Sequence, residues 1–130
     1  MSSLRTYLAA TLTLLSFVQT PAHAGIYGDP LPFFASCTGR LSAELEFQWL
    51  VSDPATAAQV KAQRAALIDI LDALTPTEGA QTVLHQRISA KMAHAALLTT
   101  ARFHTDPDRA RAAAERAERL TRGCTDQLLS

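Results

Sequence analysis

Residues 53–76, DPATAAQVKAQRAALIDILDALTP, form the stretch that decides the fold. It opens with Asp-Pro and closes with Thr-Pro, so that each end places a capping side chain directly before a proline. This order is typical of a helix start, because the side chain accepts a backbone N–H and proline tolerates the first helical position. We therefore predict a helix over residues 54–74. Its apolar side chains recur at helical spacing: Val60, Leu67, Ile70, Leu71 and Leu74.

The same signal starts two further helices, at Thr75-Pro76 and at Asp106-Pro107. Thr75 and Glu78 also match the capping box S/T-x-x-E. A proline-free stretch rich in Leu, Glu and aromatic residues predicts a helix before all of these. The four predicted helices cover residues 34–52, 54–74, 76–104 and 107–128. Because the joints are only a few residues long, we expect consecutive helices to be antiparallel neighbours.

Apolar periodicity gives the later helices one face each to bury. The third helix carries Leu84, Ile88, Met92, Ala95 and Phe103 on one arc, and the fourth carries Ala110, Ala113, Ala117, Leu120, Cys124 and Leu128. The first helix is apolar around much of its circumference, so it is either the most buried helix or the one that contacts something else. The sequence thus predicts an all-α protein, an antiparallel up-down four-helix bundle.

Residues 1–24 have the parts of a cleavable signal peptide. The basic residue Arg5 precedes an apolar run from Tyr7 to Val18, which is too short to span a bilayer as a helix. Ala22-His23-Ala24 then supplies the small-x-small pattern that signal peptidase recognises. An uncleaved membrane anchor is the alternative. We expect export, with the protein in the periplasm or secreted and with no membrane insertion after cleavage.

The chain that follows the signal peptide divides into a short lead-in and one helical domain. Pro30 and Pro32 oppose regular helix, so we expect residues 25–33 to be extended. Residues 34–130 then form the four-helix domain, which is long enough for one modest core.

Cys37 and Cys124 are the two cysteines of the sequence. In an oxidising compartment such a pair forms a disulfide, whereas two isolated thiols supply too few ligands for zinc. Counting along antiparallel helices puts the two cysteines at levels that agree to within about 5 Å. We therefore predict a disulfide that joins the first and fourth helices, and no metal site.

A candidate polar cluster combines five side chains from all four helices. Glu44 and Gln48 fall within the apolar arc of the first helix, where an uncompensated charge is costly. By level counting, Arg64, His85 and Thr121 come near them. Three interpretations stay open: a Glu44–Arg64 ion pair that fixes helix pairing, a ligand or catalytic site, or simple exposure at the rim.

The sequence contains no nucleophile motif, phosphate-binding glycine loop or metal signature. Without residues 1–24 the chain carries eleven basic and twelve acidic residues, which gives no basic footprint for nucleic acid. The arginines of the fourth helix alternate with glutamates at i,i+4, as in Glu115/Arg119, and we interpret them as a solvated face. We expect no enzyme activity, no cofactor and no nucleic-acid partner.

A protein-interaction module with an unknown protein partner is the leading functional expectation. Its candidate contact surface is the aromatic flank of the first helix or the lead-in, and comprises Tyr27, Phe33, Phe34, Phe47, Leu50 and Val51. The alternative is a small-ligand binder with a pocket lined by Glu44, Arg64 and His85. An exposed apolar patch favours the first function, and an enclosed polar cavity favours the second.

Overall fold

A computed structural model describes residues 29–129 and shows four α-helices. They are α1 (Pro30–Leu50), α2 (Pro54–Leu74), α3 (Ala80–Phe103) and α4 (Pro107–Leu129), with a 3-10 turn at Thr77–Gly79. No strand occurs within this part of the chain, and none of its helices is long and apolar enough to cross a membrane. The predicted all-α bundle is confirmed. The predicted signal peptide and residues 25–28, including Tyr27, lie outside the described residues.

Helices α2 and α4 begin where the sequence predicts. Asp53 Oδ1 accepts the Thr56 N–H at 3.0 Å, and Asp106 Oδ1 accepts the Asp108 N–H at 2.9 Å. Each aspartate thereby satisfies a backbone donor that has no acceptor inside the helix. The Asp-Pro signal is a true helix start at both places.

Helix α1 begins four residues earlier than predicted, at Pro30, so the extended lead-in is wrong over residues 30–33. The start is another Asp-Pro pair, in which Asp29 Oδ1 accepts the Leu31 N–H at 3.0 Å. Pro30 and Pro32 both lie in the first turn, where the backbone N–H groups have no intrahelical acceptor. The prolines therefore remove no helical hydrogen bond, and the helix tolerates them.

The predicted capping box at Thr75 and Glu78 is wrong. Thr75 ends α2 instead, because its hydroxyl and its backbone N–H both donate to the Leu71 carbonyl, at 2.6 and 2.9 Å. The chain then passes through the 3-10 turn, and α3 begins at Ala80 after Gly79, without a side-chain cap. The Thr75 hydroxyl thus donates to a carbonyl at the end of α2, whereas the capping box predicted that it would accept an N–H at the start of the next helix.

Helix α1 runs parallel to α3 and packs closely along it. Ala35 shares a core cluster with Val83, and further along the same direction Ala43 shares another with Leu98. Between these levels a Cβ on Gly39 would lie 3.0 Å from the Lys91 nitrogen and closer still to the Arg87 carbonyl oxygen. The small side chains on this face of α1 therefore allow the two backbones to approach.

This approach places α1 between α2 and α3, and α4 packs mainly on α3. Within residues 29–129 the backbones of α2 and α3 make no close approach, although a short joint connects them. Their side chains meet only near one end, where Leu71 and Val83 share a cluster with Ala35. The expectation that consecutive helices are neighbours therefore holds for α1–α2 and α3–α4 and is wrong for α2–α3.

The predicted disulfide joins the start of α1 to the end of α4. Cys37 and Cys124 are fully buried, with 5.4 Å between their Cα atoms. The surrounding core brings in α1 and α2 side chains: Leu41, Leu45, Ala57, Val60 and Leu67. The covalent bond thus lies inside the largest apolar cluster and links the ends of the chain's helical part.

Candidate functional site

A buried polar network joins α1, α3 and α4. The Glu44 carboxylate accepts the Gln48 amide at 2.8 Å and contacts His94 Nε2 at 3.3 Å, and the Thr121 hydroxyl lies 3.3 Å from the same ring nitrogen. His94 is only 1% exposed. The hydrogen bond from His94 is the main cause that lowers the pKa of Glu44, against the opposing effect of burial. Three of the five predicted cluster residues therefore do meet.

The other two predicted members, Arg64 and His85, lie elsewhere. Arg64 Nε donates to the Ser42 hydroxyl at 2.7 Å, and the described residues contain no Glu44–Arg64 ion pair. His85 is exposed on α3. The histidine of the network is His94, which the predicted cluster did not include because the opposite face of α3 was expected to be buried.

Of the α3 arc that was predicted to be core, Ala95 is half-buried against a core cluster and the four larger residues are exposed. Leu84 and Ile88 are each 52% exposed, Met92 is 64% exposed and Phe103 is 60% exposed. The side chains that α3 does bury are Val83, His94 and Leu98. We call the row of Leu84, Ile88, Met92 and Phe103 the α3 face. Leu84, Ile88 and Met92 recur at i,i+4 as on a packed helix face, Phe103 follows about three turns later, and no part of residues 29–129 covers these four side chains.

Basic residues border the α3 face along one edge. Arg87, Lys91 and Arg102 each precede a residue of the face by one position, so they project from the same side of it. Lys91 pairs with Glu46 at 2.6 Å, whereas within the described chain neither Arg87 nor Arg102 forms an ion pair. The edge thus presents positive charge that this part of the protein does not neutralise.

A shallow groove runs beside the face, between α2 and α3. Gly39 and Ser42 of α1 form its floor, Arg64 stands on the α2 side, and Leu84 and Ile88 stand on the α3 side, around a hollow of about 180 Å³. The groove exists because α1 separates α2 from α3. It extends the α3 face toward α2 and adds a third arginine to its surroundings.

The two alternative contact surfaces, the lead-in and the flank of the first helix, lie at opposite ends of α1. Phe33 is 39% exposed and packs edge to face on the half-buried Phe34, with 5.3 Å between the ring centroids. Phe47 is half-buried against a core cluster that contains Ala43 and Leu98. Leu50 and Val51 are exposed at the other end of the helix, beside Trp49.

An open cleft of about 460 Å³ is bordered by Glu44, Phe47 and Thr121 among others, but not by Arg64 or His85. Within residues 29–129 no group of three or more His, Cys, Asp or Glu side chains could hold a metal ion. Comparisons with protein-family models, with curated proteins and with solved structures found no match to this chain.

Proposed function

We propose that the protein acts by binding another protein, and that the α3 face is its contact surface. The observation that carries this proposal is a core-type apolar row, on a well-formed helix, that is half to two-thirds exposed. Exposed apolar rows of this length are uncommon on monomeric proteins and mark interaction sites. In this proposal the protein works by binding and not by catalysis.

The partner we propose is an amphipathic helix with an acidic flank. From Leu84 to Phe103 the α3 face extends over about 28 Å, which matches a partner helix of about five turns. Apolar side chains at helical spacing on such a helix would cover the face, as in helix-in-groove recognition. Carboxylates beside them would pair with Arg64, Arg87 and Arg102, which have no carboxylate partner within the described residues.

Export belongs to the same proposal. The predicted signal peptide at residues 1–24 and the Cys37–Cys124 disulfide support an oxidising compartment, either the periplasm or the medium. The alternative function, a small-ligand site formed by Glu44, Arg64 and His85, is less favoured because these side chains do not line one cavity. The exposed apolar residues of α3 therefore support a protein-binding function better than the separated polar side chains support a small-ligand site.

The test is site-specific photocrosslinking in the exporting cell. A photoreactive amino acid replaces Ile88 on the α3 face, and a matched control places it at the exposed Ala112 of α4. Adducts that form at Ile88 and not at Ala112 are mapped to the crosslinked segment. That segment is then synthesised and titrated into the purified, oxidised protein, its Met92→Glu variant and an Ala112→Glu control.

We expect the segment crosslinked at Ile88 to be an acidic amphipathic segment of a different protein. Met92→Glu should weaken its binding about tenfold or more, because it places a charge in the apolar contact and opposes the acidic flank, while Ala112→Glu leaves binding unchanged. Adducts at Ile88 that map to lipid, to residues 1–28 or to a second copy of this chain would contradict the proposal. Equal crosslinking at Ile88 and Ala112 would contradict it too.

A further inference from the structure

A second hollow lies on another side of α3, where α1, α3 and α4 meet. Its volume is about 350 Å³, within the range of small-ligand pockets. Ala90, Ala93, Leu97 and Leu120 give it apolar walls, and its polar lining consists of Arg40, Arg116 and His94. No acidic side chain lines it. The cavity thus combines an apolar interior with two cations and an imidazole.

Arg40 is a half-buried cation without a carboxylate partner in the described chain. Its Nη1 lies 3.7 Å from Cys124 Sγ and 4.0 Å from Cys37 Sγ, which are weak acceptors. The nearest carboxylate along α1, Glu44, is already engaged by Gln48 and His94. Burial lowers the pKa of Arg40, because a poorly hydrated site disfavours the charged guanidinium.

Arg116 is the exception among the arginines of α4. The other four are paired with carboxylates on their own helix or its cap: Arg109 with Asp106, Arg111 with Asp108, Arg119 with Glu115 and Arg122 with Glu118. Arg116 forms no such pair within residues 29–129 and lines the cavity instead. We interpreted the arginines of this helix as a solvated face paired with glutamates, and Arg116 does not fit that interpretation.

His94 supplies an unused hydrogen-bonding atom at the same place. Its Nδ1 is the one buried side-chain nitrogen or oxygen of the described residues that has no hydrogen-bond partner. The Glu44 carboxylate and the Thr121 hydroxyl both lie beside Nε2, so Nδ1 is the ring nitrogen that has no partner within residues 29–129.

We propose that this cavity binds a small organic anion, an apolar molecule that ends in a carboxylate. The carboxylate would accept hydrogen bonds from Arg40 and Arg116, and the apolar part would pack on the alanine and leucine walls beside the His94 ring. Charge-assisted bonds from guanidinium to carboxylate are strong, and they would compensate two cations that otherwise lack a partner. The inference is independent of the α3 face, which lies on a different side of α3.

The test is titration of the oxidised protein with hexanoate, followed by NMR. Hexan-1-ol serves as the neutral probe and inorganic phosphate as the anion without an apolar part. The readouts are the methyl resonances of Ala90 and Leu120 and the Nδ1 resonance of His94. The variants are Arg40→Gln and Arg116→Gln. Arg119→Gln is the matched control, because it removes an exposed, paired arginine from the same helix.

We expect saturable hexanoate binding that shifts the resonances of both methyl groups and of the His94 ring. Each cavity variant should weaken binding about tenfold, whereas Arg119→Gln leaves it unchanged. Arg116 is exposed, so its variant keeps the test valid even if Arg40→Gln perturbs the disulfide region. Binding of hexan-1-ol or phosphate as tight as that of hexanoate, or unchanged affinity in Arg116→Gln, would overturn the proposal. So would the absence of hexanoate binding to the folded protein.

Discussion

Substitution of Gly39 by alanine tests the close packing of α1 on α3. An added Cβ would lie 3.0 Å from the Lys91 nitrogen, 3.1 Å from the Ala90 Cβ and closer still to the Arg87 carbonyl oxygen. Most of these neighbours are backbone or Cβ atoms that cannot rotate away, so the helices must separate by about 1 Å to restore normal contact. Overpacking of this kind costs about 1–3 kcal/mol, and the separation also loosens contacts elsewhere along the helix pair.

Helix propensity acts in the opposite direction, because alanine is favoured over glycine by about 1 kcal/mol inside a helix. We expect the lost packing to dominate and Gly39→Ala to lower the free energy of unfolding by about 1–2 kcal/mol. Thermal unfolding followed by circular dichroism should then show a Tm lower by about 4–16 °C.

Gly123→Ala on α4 is the matched control, because nothing lies within 4 Å of a Cβ built there. It should raise the free energy of unfolding by about 0.5–1 kcal/mol. A Gly39→Ala protein that is as stable as the wild type, or gains as much as Gly123→Ala, would refute the close α1–α3 approach.

Two further predictions concern the disulfide and the buried network. Replacing both Cys37 and Cys124 by alanine should lower the free energy of unfolding by about 4–5 kcal/mol, because the bond closes a loop of 87 residues. Urea unfolding measures this difference. A loss of less than about 1 kcal/mol would contradict the prediction. Glu44→Gln should cost about 1.5 kcal/mol at neutral pH. Because the fold lowers the pKa of Glu44, its stabilisation is present above the unfolded-state pKa and disappears as the pH falls through the folded-state pKa. The free energies of unfolding of the two proteins should therefore converge as the pH falls below the ordinary pKa of a glutamate, and a constant difference would argue against the His94–Glu44 contact.

Local sequence signals predicted a structural feature correctly wherever the residue type alone was enough to specify it. The aspartate caps of α2 and α4 appear as expected. The disulfide could be predicted because the chain has two cysteines, at similar heights along the bundle axis. Thr75 shows the limit of such signals, because a hydroxyl can serve the end of one helix or the start of the next. The local sequence is the same in both cases, and tertiary packing decides between them.

The polar cluster was predicted in part, because its identification depended on which face each helix buries. Glu44, Gln48 and Thr121 stand on faces that the apolar pattern of α1 and α4 identifies. His94 stands on a face of α3 that contains mostly small side chains, so hydrophobic periodicity favoured the opposite, bulkier arc. The signal that could have located His94 is its spacing from Val83, Ala90 and Leu98, which share one side of the helix.

The burial of that smaller face links the fold to the proposed function. Helix α1 presents a stripe of small residues, Ala35, Gly39 and Ala43, and only a face of modest side chains can pack closely on it. Once α3 turns this face inward, its bulkier arc must point outward. Each large side chain of this arc is already about half buried, so it forgoes roughly half of the 1.5–3 kcal/mol that full burial contributes, and the arrangement is less stable than a bundle that buried them. A partner that covers the α3 face would recover that free energy on binding, which is the physical basis for placing recognition on α3.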